Sequence, residues 1–102
     1  PTIVAGDFNA HSDEWGCGPW QRDPRGKAVA DWAAGLGLVL MNMGSTSTYV
    51  RPNGGGESVI DLTWASPSAA RGFRRWVVEK ERESLPDHRY VTWTLRLHTP
   101  HR

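Results

Sequence analysis

Residues 58–64, Ser58-Val59-Ile60-Asp61-Leu62-Thr63-Trp64, form a β-branched and apolar run with one carboxylate at its centre. Side chains of this kind favour a pleated, half-buried strand. Alternation along such a strand puts Val59, Asp61 and Thr63 on one face and Ile60, Leu62 and Trp64 on the other. A carboxylate held mid-strand among apolar neighbours is costly unless it is paired. The partner that would make it useful is a histidine held in one orientation.

Upstream of this run, Pro52-Asn53-Gly54-Gly55-Gly56 is the strongest turn signal in the chain. It predicts a hairpin joining residues 58–64 to a strand that begins at Thr48-Tyr49-Val50-Arg51. Leu38-Val39-Leu40-Met41, an apolar run after a glycine, reads as another buried strand. Ala28, Val29, Trp32, Ala33 and Leu36 recur at helical spacing, with Gly35 and Gly37 ready to end the segment, so residues 25–36 are predicted to be an amphipathic helix. The stretch from His11 to Gly26 is rich in Gly, Pro, Asp and Ser and reads as a loop, anchored by Trp15 and Trp20. Thr2 to Ala5 is a short strand that delivers Asp7 to its C-terminal tip, making a strand–helix–strand unit with residues 38–41. Downstream, a short helical turn is expected through Ala69-Ala70, then a strand at Arg75-Trp76-Val77-Val78 and a charged loop from Glu79 to Ser84. The last element, Arg89 to Leu97, alternates, with Val91, Trp93, Leu95 and Leu97 on one side and Tyr90, Thr92, Thr94 and Arg96 on the other.

The 102 residues suffice for one small domain of ordinary globular composition, with 38% hydrophobic and 23% charged residues. Neither a membrane span nor a signal peptide is legible. The lone Cys17 excludes an internal disulfide and suits a reducing, intracellular compartment. Aromatic content is concentrated in six Trp, of which Trp32, Trp64 and Trp93 fall on apolar faces and read as core. Charge is uneven, with eight Lys/Arg against four Asp/Glu from Arg71 to Arg102 and four against seven in residues 1–70. An acidic region beside a basic one suits a metal site next to a phosphate-binding surface. Pro1 followed at once by a strand predicts a fragment whose preceding half is absent.

Three segments carry the polar groups of interest: Gly6-Asp7-Phe8-Asn9-Ala10-His11, Ser58-Val59-Ile60-Asp61-Leu62-Thr63 and Pro86-Asp87-His88. Each has an ordinary reading alone, since Asp7 and Asn9 could bond a tight turn, Asp61 could pair with an arginine, and Asp87-His88 could be a plain loop. Together they offer what phosphodiester hydrolysis needs: an acceptor for a water proton, ligands for a divalent cation, and donors to the developing charge. In this order the segments resemble the C-terminal motifs of the endonuclease/exonuclease/phosphatase superfamily. The extended form, with Ser12, Trp15-Gly16 and Ser58-x-Ile60-Asp61-Leu62-Thr63, is most similar to the endonuclease domain of non-LTR retrotransposons.

The resemblance implies an α/β fold, a DNase I-like two-sheet sandwich with flanking helices. Residues 1–97 would supply about half of that domain and residues 98–102 a tail or linker. It implies that Asp7 polarises or deprotonates the attacking water, that Asn9 donates to a phosphate oxygen, and that Asp61 holds His88 beside the scissile phosphate. Asp87 would sit at the metal, and His11 would be a turn or substrate-side residue. The expected cofactor is an oxygen-ligated Mg²⁺, with Mn²⁺ as a substitute, in keeping with carboxylates and no Cys/His cluster suited to zinc. The expected partners are DNA, the N-terminal half of the same domain with its metal-binding Glu, and a downstream reverse transcriptase, in a nuclear parent protein. Two departures stand out: Pro86 replaces the usual Ser of a Ser-Asp-His motif, removing a hydroxyl and an N–H, and no segment matches the N-terminal motifs. The fragment alone is therefore expected to be inactive. The rival readings are a phosphatase or sphingomyelinase of the same superfamily, and a non-catalytic nucleic-acid-binding relic.

Overall fold

The computed structural model describes residues 1–51, 54–83 and 87–96. The chain order is β1 (Ile3–Asp7), α1 (Pro24–Gly35), β2 (Val39–Leu40), β3 (Tyr49–Val50), β4 (Glu57–Ser58), β5 (Asp61–Ala65), α2 (Pro67–Ala70), β6 (Phe73–Glu83) and β7 (Arg89–Leu95). Three antiparallel sheets result among the described residues: β1-β5-β2, β3-β4 and β6-β7. Both β1 and β2 run antiparallel to β5. The predicted strand–helix–strand unit therefore exists, with β5 inserted between its two strands.

Helix α1 starts where its sequence says it should. Asp23 is the N-cap and accepts the Gly26 N–H at 2.7 Å, and Pro24 occupies the first turn, where its missing N–H costs nothing. Its inward face is Val29, Ala30 and Ala33, while Leu36, expected on that face, is exposed at the C-cap. These residues close over Leu62 and Trp64 of β5, with Ala10, Trp15, Cys17 and Val59 completing the core. Trp15 anchors the loop as expected, its indole N–H donating to the Ala10 carbonyl at 3.1 Å. Trp20 does not, being 85% exposed. Of the tryptophans expected in the core, Trp64 is buried, Trp32 meets it edge-on at 6.4 Å but stays partly exposed, and Trp93 is half-buried against Phe73.

The single strand expected over 58–64 is two strands in two sheets. Its first part, β4, pairs with β3, and its second, β5, pairs with β1 and β2. Between them the Thr48 hydroxyl accepts the N–H groups of both Ile60 and Asp61, at 3.0 and 3.1 Å. A side chain thus replaces the backbone ladder for two residues. The break also shifts the alternation, so that Val59 packs with Leu62 and Trp64 rather than sharing a face with Asp61.

The expected charged loop from Glu79 is also strand as far as Glu83, because β6 and β7 pair along a long ribbon. Glu79 lies opposite Tyr90 and accepts from the Thr92 hydroxyl at 3.2 Å, so a solvated cross-strand contact holds a stretch whose composition reads as loop. One extra residue between the pairs Arg74↔Thr94 and Val77↔Thr92 makes a bulge, with Arg75 in the left-handed region at φ 58°. The predicted alternation of β7 holds from Arg89 to Leu95. The turn residues Pro52 and Asn53, the end of the charged loop at Ser84, Pro86, Leu97 and the tail at 98–102 lie outside the described residues. Among the described residues, no helix is long and apolar enough to cross a membrane.

Candidate active site

Register brings the first two carboxylates together. The last residue of β1, Asp7, is the direct partner of the first residue of β5, Asp61. Directly opposed residues of an antiparallel pair project from the same face. That face is opposite to the one carrying Leu62 and Trp64 into the core beneath α1.

His88 reaches the same place through the β3 edge. It forms a single antiparallel bridge with Tyr49, flanked by Val50 N–H to Asp87 carbonyl at 3.0 Å and Arg89 N–H to Thr48 carbonyl at 2.8 Å. The imidazole lies 5.0 Å from the Tyr49 ring, centroid to centroid. Its Nδ1 faces both oxygens of Asp61, at 2.9 and 3.1 Å. A carboxylate can only accept, so the network assigns the proton to Nδ1. Nε2 then points to the Asp7 Oδ2, 3.7 Å away. His88 and Asp61 are 21% and 19% exposed and Asp7 is 45% exposed, so the pair is held inside the wall of a groove whose mouth is Asp7. That groove, about 410 Å³, is lined by Asp7, Asp61 and His88 on one side and by Tyr90, Val91 and Trp93 on the other.

The positions of these groups are held by residues that sequence reasoning missed. The Asn42 side chain bridges β5, donating to the Asp61 carbonyl at 3.1 Å and accepting from the Thr63 N–H at 2.9 Å. Thr48, fully buried, secures the Asp61 N–H as described above. An amide after the apolar run 38–41 and a threonine before Tyr49 were the only available signals, the first reading as an ordinary loop residue and the second as the start of a strand.

Other expected residues lie apart. Asn9 sits in a tight turn at φ 46°, where its N–H donates to the Asp7 Oδ1 at 2.8 Å. Its exposed side chain lines an adjoining groove with His11, Gln21, Tyr49 and Arg51 instead of the groove of the pair. Tyr49, in contact with His88, joins the two grooves. Among the described residues, the group that could hold a metal is Asp7, Asp61 and His88, with one ligand atom of each within 4.8 Å of the others. Asp87, expected at the metal, is not one of them. Its carbonyl accepts the Val50 N–H beside the His88 bridge, at 3.0 Å.

His11 is tied to a structural carboxylate. Its Nδ1 lies 2.7 Å from Asp23 Oδ2, and its N–H donates to Asp23 Oδ1 at 3.1 Å. Burial alone would raise the Asp23 carboxyl, but hydrogen bonds from the His11 ring, the His11 N–H and the Gly26 N–H, with the His11 charge, hold it below the usual carboxylate range.

A family model described as "Endonuclease-reverse transcriptase" matches residues 1–92. Among solved structures, the chain is similar to the "Endonuclease domain of TRAS1, a telomere-specific non-LTR retrotransposon", with 27% identity and a TM-score of 0.79. That similarity covers 93% of this chain and 41% of the other. No curated protein matches. The architecture is accordingly that of part of a DNase I-like endonuclease domain, mixed α/β with antiparallel sheets.

Proposed function

Because the chain belongs to the endonuclease-reverse transcriptase family, we propose that it supplies the histidine side of a catalytic centre that nicks DNA for a non-LTR retrotransposon, linked to a reverse transcriptase in a nuclear parent protein. The observation that carries this reading is the aligned set Asp61, His88 and Asp7, in which one carboxylate fixes the imidazole and the second nitrogen faces another carboxylate. In that arrangement Asp61 holds the Nδ1–H tautomer and leaves Nε2 to act on the scissile phosphate or its attacking water. Asp7, at the mouth of the groove, orients that water. Asn9, one turn further on, donates its side-chain amide to a phosphate oxygen.

The donor set suits an oxygen-preferring divalent ion such as Mg²⁺ or Mn²⁺ only in part. Both Asp61 oxygens face His88 Nδ1, so Asp7 is the residue of this chain that would touch the ion, and the remaining ligands would come from outside it. Such an ion would neutralise charge on the phosphate. The decisive experiment is a plasmid-nicking assay on a domain of full family length carrying this sequence, with and without Mg²⁺, beside its His88→Ala variant. Loss of about 10² to 10⁴-fold in nicking rate is the expected result for His88→Ala, as for removal of a positioned acid–base group. Undiminished nicking by that variant would overturn the assignment.

A further inference from the structure

Single exposed apolar side chains are common and say nothing by themselves. Trp20 differs in three respects. It is 85% exposed, the most exposed large hydrophobic side chain among the described residues. It also lies against the chain: the six-membered part of the indole sits on Gly18, so closely that a Cβ there would meet ring atoms at 2.5 Å. The 3-10 turn Pro19–Gln21 that carries it is closed by Gln21 N–H to Gly18 carbonyl at 2.9 Å and by Gly18 N–H to the Gln21 side-chain oxygen at 3.1 Å. The same Gln21 side chain donates to the Glu57 carbonyl at 3.0 Å, fastening the turn to β4. One part of the indole is therefore covered by backbone, and most of its surface is presented to solvent.

The third respect is location. Gln21, next in sequence, lines the groove that holds Asn9 and Arg51 and that meets the His88 groove at Tyr49. A strand whose phosphate lies at Asp7 and Asn9 would run along this groove, past the Arg51 guanidinium, to the indole. The Arg51 guanidinium of this groove suits a phosphate backbone, and an exposed indole face backed by Gly18 suits a base. From this geometry we infer that Trp20 is a stacking platform for an unpaired base of the DNA substrate, a few nucleotides from the scissile phosphate.

This inference rests on the nuclease reading, so its test uses binding rather than cleavage. The protein is the full-length domain carrying this sequence, and the probe is a duplex oligonucleotide with a short unpaired stretch, titrated beside a fully paired duplex of the same length. Trp20→Ala is expected to weaken binding to the unpaired probe by about 10-fold, in the range of one stacked base, and to leave the paired duplex within about twofold. Trp20→Phe, which retains an aromatic face, is expected to recover most of the loss. Equal affinity of Trp20→Ala and wild type for the unpaired probe, or equal losses on both probes, would overturn the platform. Nicking measured on the same samples separates the two ideas: a domain that binds but does not nick counts against the catalytic reading, while the Trp20 comparison still decides the platform.

Discussion

Asp61 with His88 and Asp23 with His11 are chemically the same pair, a carboxylate against Nδ1, yet they serve different ends. Distance does not tell them apart, because the Asp23 pair is the shorter, at 2.7 Å against 2.9 Å. Burial hardly does, with side chains 25% and 32% exposed for His11 and Asp23 against 21% and 19% for His88 and Asp61. What separates them is how the carboxylate is otherwise engaged. Asp23 spends its oxygens on chain geometry, accepting the His11 N–H and capping α1 through the Gly26 N–H, while the Asp23 N–H returns to the His11 carbonyl. Asp61 gives both oxygens to one ring nitrogen, and its backbone is held by Thr48 and Asn42. In the first pair the histidine is a clamp; in the second the carboxylate is the clamp, and Nε2 faces Asp7 on the same side of the groove.

The sharpest way to break this comparison is to neutralise each carboxylate without changing its shape. In the full-length domain, Asp61→Asn is expected to lower single-turnover nicking by about 10² to 10⁴-fold, because an amide beside Nδ1 no longer fixes the productive tautomer. DNA affinity, set by phosphate contacts, should move by less than about twofold at one salt concentration. Asp23→Asn should leave turnover unchanged. A catalytic loss from Asp23→Asn as large as that from Asp61→Asn would erase the distinction.

The legible parts of this molecule were those where one residue's neighbours in sequence are also its neighbours in space. Helix α1, with its Asp23-Pro24 start, and the alternation of β7 were such cases. Asp7 at a strand tip and Asp61 with His88 were visible as well, through the motifs that carry them. The break at Val59-Ile60 was not, because it depends on a hydroxyl 12 and 13 residues from the N–H groups it accepts, which substitutes for a strand. Asn42 was hidden for the same reason, since its amide has meaning only once β5 lies beside it. The continuation of β6 through Glu79 was masked by charge, which in a two-stranded ribbon can face water without ending the strand. Trp20 was read as an anchor because tryptophan is usually buried, and residue type alone cannot show that Gly18 offers only a backbone to lean on.

A smaller effect is expected where the carboxylate that the His11 clamp grips is removed. Asp23→Ala deletes the N-cap of α1 and the tie to His11, and a cap is typically worth about 0.5–2 kcal/mol. Thermal unfolding should therefore occur at lower temperature, with nicking by the folded domain within about twofold of wild type. The pH dependence has a definite sign. The folded carboxyl lies below its ordinary value of 3.8, so its contribution is complete above that value and is lost as the pH falls through the folded one. The stability gap between wild type and Asp23→Asn should consequently narrow in acid below about pH 4. A gap that widened in acid would mean that the carboxylate is not what the clamp depends on.

The smallest expected effect decides whether His11 is only a clamp. It lines the groove that also holds Asn9, so contact with substrate is the competing role. Glutamine can offer an N–H to Asp23 in place of Nδ1 but has no ring and no titrating nitrogen. If His11 serves the loop alone, His11→Gln should lower stability by no more than about 1 kcal/mol, the net worth of one hydrogen bond. Affinity for duplex DNA and nicking rate should then both stay within about twofold. The same change at the other pair, His88→Gln, should abolish turnover, because a side chain that merely satisfies Asp61 leaves nothing facing Asp7 to take or give a proton. A fivefold or greater loss of DNA affinity in His11→Gln, with unfolding temperature unchanged, would move His11 from the clamp to the substrate and leave Asp23 as the only structural member of its pair.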